Sequence, residues 1–117
     1  MGKINSFRDL EVWRLGMDLV EGVYRVSAAF PKTEIYGLTS QVRRAAVSAP
    51  SNIAEGHTRA STKEYLNHLS MAQASLAEVS TQLEIAMRLG YIPVTEMMPK
   101  LDEIGVLGRM LFALRNA

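Results

Sequence analysis

A chain of 117 residues, 48% hydrophobic, 21% charged and with a formal net charge of +1, is long and apolar enough for one core. Those totals exclude intrinsic disorder, and near-neutrality leaves no global field to draw in phosphate backbones. With no cysteine, disulfides, thiolate catalysis and cysteine-bound zinc are excluded too.

No apolar run reaches the roughly 18 residues of a membrane span, and no signal-peptide core opens the chain, so a cytoplasmic protein without a membrane partner is expected. Met1-Gly2-Lys3-Ile4-Asn5-Ser6 matches the loose myristoylation pattern, but so short a hexamer arises by chance. Residues 1–5 are read instead as a flexible start to a single domain spanning 1–117.

Ser6-Phe7-Arg8-Asp9 reads as an N-cap followed by an acidic residue, opening the first helix. Leu10, Trp13, Met17, Val20 and Tyr24 form its apolar stripe, and Val12, Leu19, Val23 and Val26 widen it. So wide a stripe suggests two contact surfaces, a core and a neighbouring chain. Phe30-Pro31 ends the helix. The second helix starts near Thr39 and turns Val42, Ala45, Ala46, Ala49 and Ile53 inward. Pro50 costs a straight helix about 3 kcal/mol, which predicts a bend or a restart near Ser48 to Pro50. Gly56 is the expected stop after Glu55.

Ser61-Thr62-Lys63-Glu64 is a capping-box pattern for a third helix that runs to about Leu89. Leu69, Ala72, Leu76, Val79, Leu83 and Ala86 make its seam. Gly90-Tyr91-Ile92-Pro93 is a turn, and a fourth helix from Thr95 buries Met97, Leu101, Ile104, Leu107, Leu111 and Leu114. No stretch alternates with period two. The fold expected is all-α: an antiparallel up-down four-helix bundle with a proline-bent second helix.

Gln41, Arg44, Ser48, Asn52, Glu55 and Arg59 form a polar line along the second helix. Glu55 in a last helical turn opposes the helix dipole, so it calls for a partner. The bland reading is a structural network of Asn52, Glu55 and Arg59 at the corner between helices two and three. The sharper one is a nucleic-acid or ligand patch of Arg43, Arg44, His57, Arg59 and Lys63, although no aromatic residues interleave it for base stacking. Glu64 and His68 lack the paired Glu-x-x-His spacing of a di-iron bundle, so no metal or cofactor is expected, and His68 is taken as an edge residue. No phosphate loop, nucleophile elbow or HExxH occurs, so an enzyme is not expected. The methionines read as gap-fillers of a helical core. Phe7, Val12, Trp13 and Leu19 are the candidate oligomer interface, although Trp13 belongs to the apolar stripe and core packing is the favoured reading for it.

Phe7-Arg8-Asp9-Leu10-Glu11-Val12-Trp13, Phe30-Pro31, Tyr36-Gly37-Leu38, Gln41-Val42-Arg43-Arg44-Ala45 and Ser51-Asn52-Ile53-Ala54-Glu55-Gly56 occur in that order. Arg59, Leu69, Ala72, Ser75-Leu76, Glu78 and Leu89-Gly90-Tyr91-Ile92 follow. Together they resemble the bacterial ribosomal-RNA intervening-sequence protein family, over nearly the whole chain and most weakly in the fourth helix. The resemblance implies a cytosolic four-helix bundle that assembles as a ring-like homopentamer, with no established enzymatic activity. It implies a fold shared with accessory subunits of retroelement reverse transcriptases, basic pentamers that bind nucleic acid. This chain departs from them in its near-zero charge, and Ala74 stands where family members often carry glycine.

The function expected is a non-enzymatic, self-assembling bundle acting as a scaffold or interaction module. The alternative is a nucleic-acid-binding accessory protein that repeats its basic patch around a homo-oligomeric ring and binds RNA or DNA through avidity.

Overall fold

The structure, a computed structural model, describes residues 6–117. The start expected to be flexible, 1–5, and with it most of the myristoylation-like hexamer, lies outside the described residues. Four helices follow in order: α1 (Glu11–Ser27), α2 (Leu38–Thr58), α3 (Thr62–Arg88) and α4 (Val94–Arg115). Short 3-10 turns at Phe7–Asp9 and Lys32–Glu34 precede α1 and α2, and no strand occurs among the described residues. Each helix packs on its chain neighbours and α4 closes back onto α1, which makes an up-down-up-down bundle. Its long axis of 44 Å matches the roughly 40 Å of α3 at 1.5 Å per residue.

The seams of α2 and α3 interlock as their spacing dictates. Val42, Ala46, Ala49 and Ile53 face Leu69, Ala72, Leu76, Val79 and Leu83, all essentially inaccessible to water. The alanines of α2 let α3 come close, and each larger apolar side chain withdrawn here contributes about 1.5–3 kcal/mol. From α4, Met97, Ile104, Leu107 and Leu111 complete the core, while Leu101 and Leu114 reach only its edge. Gly90 has φ +78°, a left-handed conformation, so it alone of the turn residues must lack a side chain to join α3 to α4.

Several local expectations need correcting. Ser6 does cap, its Oγ accepting from Arg8 N–H at 3.0 Å while Asp9 accepts from Ser6 N–H at 3.2 Å, but the turn it opens is 3-10. Leu10 is extended behind that turn, and α1 starts only at Glu11. In α1 the buried face is Val12, Gly16, Leu19, Val23 and Ser27, not the stripe through Trp13 and Met17. The reason is Gly16: a Cβ there would lie 3.2 Å from Pro50 Cβ, so α1 turns its smallest residue to the proline. The helix α2 neither restarts at Pro50 nor stops at Gly56; it runs unbroken to Thr58. Gly56 serves close packing instead, because a Cβ there would meet His68 Cβ at 2.7 Å.

Candidate functional site

Ser48 and Asn52 of α2 face α3 rather than solvent. Asn52, buried, donates from Nδ2 to the Ser48 carbonyl at 2.9 Å and to Ser48 Oγ at 3.1 Å. Its Oδ1 is then an acceptor, and His68 Nδ1 donates to it across the seam at 3.0 Å. One turn along, Ser75 Oγ donates to Ser48 Oγ at 2.8 Å and lies 3.0 Å from the Met71 carbonyl oxygen. The Glu55 carboxylate stands 3.7 Å from the same His68 nitrogen. Both helices thus satisfy each other's polar side chains, and stripping one partner from such a buried pair costs about 1–3 kcal/mol. The partner of Glu55 is His68, not Arg59, which is exposed at the C-cap of α2.

His68 is the residue that sequence reading missed. With a side chain 14% exposed it is no edge residue. The signal was its spacing: His68 and Ser75 are seven apart, one heptad on α3, and they sit beside the seam of Leu69, Ala72 and Leu76.

The candidate basic patch is divided. Arg43 is committed to α1: its Nε donates to Ser27 Oγ at 2.8 Å and its Nη2 to the Tyr24 carbonyl at 3.3 Å. Its guanidinium also covers the Tyr24 ring at 4.6 Å from the centroid. The Tyr24 carbonyl already accepts from Ala28 N–H at 3.2 Å, so Arg43 adds a second bond there, and its cation also offsets the negative helix end. Arg44 is exposed, and Arg59 lies roughly 22 Å from it along α2 at 1.5 Å per residue. His57 and Arg59 line a cavity of about 390 Å³ at the α2–α3 corner, with Ser61 and Tyr65 among its walls. Burial pushes the Tyr65 phenol above its usual pKa. Lys63 is exposed in the first turn of α3, which Ser61 caps by accepting from Glu64 N–H at 3.1 Å. Within one chain, then, the five basic residues fall into three places.

The expected interface residues also separate. Val12 and Leu19 are 3% and 1% exposed, which places both in the core and out of a partner's reach. Phe7 and Trp13 sit half-exposed at its margin, stacked edge to face at 5.4 Å. Beside them the shoulder of α1 is open: Met17 is 40% and Tyr24 44% exposed. Trp13, Met17 and Val20 form a groove with Val47, Pro50 and Ala54 of α2. On the opposite side of the bundle, Leu76, Ala77, Gly105, Gly108 and Phe112 line a larger, mostly apolar groove of about 600 Å³ between α3 and α4.

Among the described residues no three His, Asp or Glu side chains converge to hold a metal, and no helix is long and apolar enough to cross a membrane. What the fold and these surfaces define is a small helical bundle with a satisfied polar seam inside and apolar grooves outside, among them those along α1–α2 and α3–α4. The chain belongs to the 23S rRNA-intervening sequence protein family, whose pattern it matches over residues 8–113. It is also similar to the crystal structure of a protein of unknown function from the S23 ribosomal protein family of Bacteroides thetaiotaomicron VPI-5482. That likeness has a TM-score of 0.84 at 17% identity and covers 91% of this chain and 99% of the other, so it concerns the fold. No curated protein matches this chain.

Proposed function

We propose that this protein is a non-enzymatic, self-assembling helical bundle that serves as a scaffold or interaction module in the cytoplasm. The observation that carries this reading is the open apolar shoulder of α1. Met17 and Tyr24 are exposed and Trp13 and Val20 only partly buried, although the four helices already close one core. A stripe wider than the core needs is the mark of a second contact surface. Family membership favours the same reading, and the resemblance noted above implies five copies. Light scattering at micromolar concentration is the test: an integral multiple of the 13.0 kDa chain is expected, and a mass of 13.0 kDa would overturn the proposal.

A second reading, binding of RNA or DNA around the assembled ring, rests on Arg44, Arg59 and Lys63. All three are exposed and none forms an ion pair within the described chain. Arg43 leaves this set because α1 already holds it. Binding to structured RNA across a salt series, compared with Arg44→Ala/Arg59→Ala, tests the idea. A steep salt slope that flattens in the variant supports it, and no binding at physiological salt removes it.

A further inference from the structure

Where α1 hands over to α2, the chain leaves a recess of about 340 Å³ whose apolar wall is Phe30, Pro31 and Ile35. Thr39, the second residue of α2, lines it too. Thr39 is only 4% exposed, and its hydroxyl bonds to no group among the described residues. Nor is that hydroxyl sealed away, for among the described residues Gln82 Oε1 is the one partnerless side-chain atom that water cannot touch. Thr39 Oγ1 therefore keeps a small access, and the recess it lines provides it. A polar group so nearly buried and left without a partner is costly and rare. Other buried hydroxyls of the bundle are bonded, Ser27 to the Tyr24 carbonyl and Ser75 to Ser48.

The charges around the recess have one sign. Lys32 and Arg43 stand in its wall, and no acidic residue does. Lys32 is exposed and forms no ion pair within the described chain. Glu34, the nearest acid along the chain, is not in the wall, and Leu38 N–H and the Tyr91 hydroxyl occupy its carboxylate. Arg43 spends Nε and Nη2 on the end of α1, which fixes its guanidinium, and its Nη1 has no partner among the described residues. A guanidinium already held in place, with a donor to spare, is preorganised for a carboxylate.

We infer that this recess binds a small organic acid. Its carboxylate takes the Thr39 hydroxyl, Arg43 Nη1 and Lys32, and its apolar body covers Phe30, Pro31 and Ile35. Size sets the class: ligand pockets run from about 300 to 1,000 Å³, so this one admits a single ring or a short chain. A bare inorganic anion would leave the apolar wall uncovered. The cavity at the α2–α3 corner is built differently, because its Ser61 and Thr62 are exposed and Ser61 is spent on the cap of α3.

Titration of the full chain with sodium benzoate, followed on the ligand's own NMR signals, tests this whatever the oligomeric state. Saturable binding with a Kd on the order of millimolar is expected of so small a ligand. Benzamide keeps the ring without the charge, and inorganic phosphate keeps the charge without the ring; each should bind about tenfold more weakly. Thr39→Val preserves the side-chain shape and should weaken benzoate about tenfold. It should melt no lower than wild type, since it deletes a hydroxyl that the fold does not use. Lys32→Ala should weaken benzoate about two- to threefold at low salt, and Arg59→Ala should leave binding unchanged. Absence of saturable binding would make this a merely hydrated recess and overturn the inference. Equal binding of benzamide or of phosphate would overturn it as well, by removing the carboxylate or the apolar wall. Loss of binding in Arg59→Ala but not in Thr39→Val would put the ligand at the α2–α3 corner instead. A Thr39→Val chain that melts clearly lower would show a hydroxyl bonded within the fold, which removes the premise.

Discussion

Glycine at two places in this chain does opposite things, and the contrast is measurable. Gly56 lies against α3, with room for a Cβ denied by His68 Cβ at 2.7 Å and Tyr65 Cδ1 at 3.3 Å. Gly56→Ala should lower stability by about 1–3 kcal/mol in urea unfolding, in spite of alanine's better helix propensity, because α2 and α3 must move apart. Gly108→Ala, in open space on α4, should raise the stability of the isolated chain by up to about 1 kcal/mol. Equal effects at the two sites would contradict the close packing described at Gly56. At the seam, Asn52→Ala should cost about 1–3 kcal/mol, because it leaves the His68 Nδ1 hydrogen without its acceptor. The close packing at Gly56 was not legible in the residues around it. A glycine after a glutamate near a helix end signals a stop, and only the approach of α3 shows that it signals a contact instead.

At the scale of elements, two side chains fasten helix ends, and each carries a prediction. Glu34 stands in for an N-cap on α2: its Oε1 accepts from Leu38 N–H at 3.0 Å and its Oε2 from the Tyr91 hydroxyl at 2.7 Å. The Leu38 amide, then the Tyr91 hydroxyl, hold its carboxyl below the usual value of 4.5. Its contribution is therefore complete above pH 4.5 and is lost as pH falls through the depressed value. Glu34→Gln should show a shallower loss of melting temperature on acidification than wild type; identical acid limbs would deny the cap. The same bond pushes the Tyr91 phenol above 10.0, so its share holds below that pH and fades as pH rises through the raised value. At the C-terminal end of α1, Arg43→Ala should cost about 1–3 kcal/mol, and Arg43→Lys should not restore it, since one ammonium cannot reproduce the planar fork over Tyr24. Helix number, the seams of α2 and α3 and the Gly90 turn were readable from spacing alone, because each follows from a local period or a local backbone need. The rotation of α1 was not. Both of its apolar faces satisfy a 3.6-residue period, and the choice between them was made by Pro50 on another helix.

For the whole molecule, the apolar surface left over after folding decides the account. The charge pattern supplies no comparable feature: the basic residues scatter, and Arg43, one of the five candidates, is held against the end of α1. The division of the proposed interface residues is instructive. Val12 and Leu19, which widen the stripe, went to the core and Trp13 to its margin, so the leftover surface is the flank of α1 through Met17 and Tyr24. Trp13 is the single tryptophan of the chain, which makes that flank directly observable. Its accessibility to acrylamide, compared between wild type and Met17→Glu, is the measurement that reaches the central claim. Self-assembly through this face predicts a shielded, blue-emitting Trp13 in the wild type that becomes quenchable and shifts to the red in the variant. Equal quenching in both would mean that no neighbouring copy shields Trp13 beyond its own chain, and the α1–α2 face would not be a contact between copies.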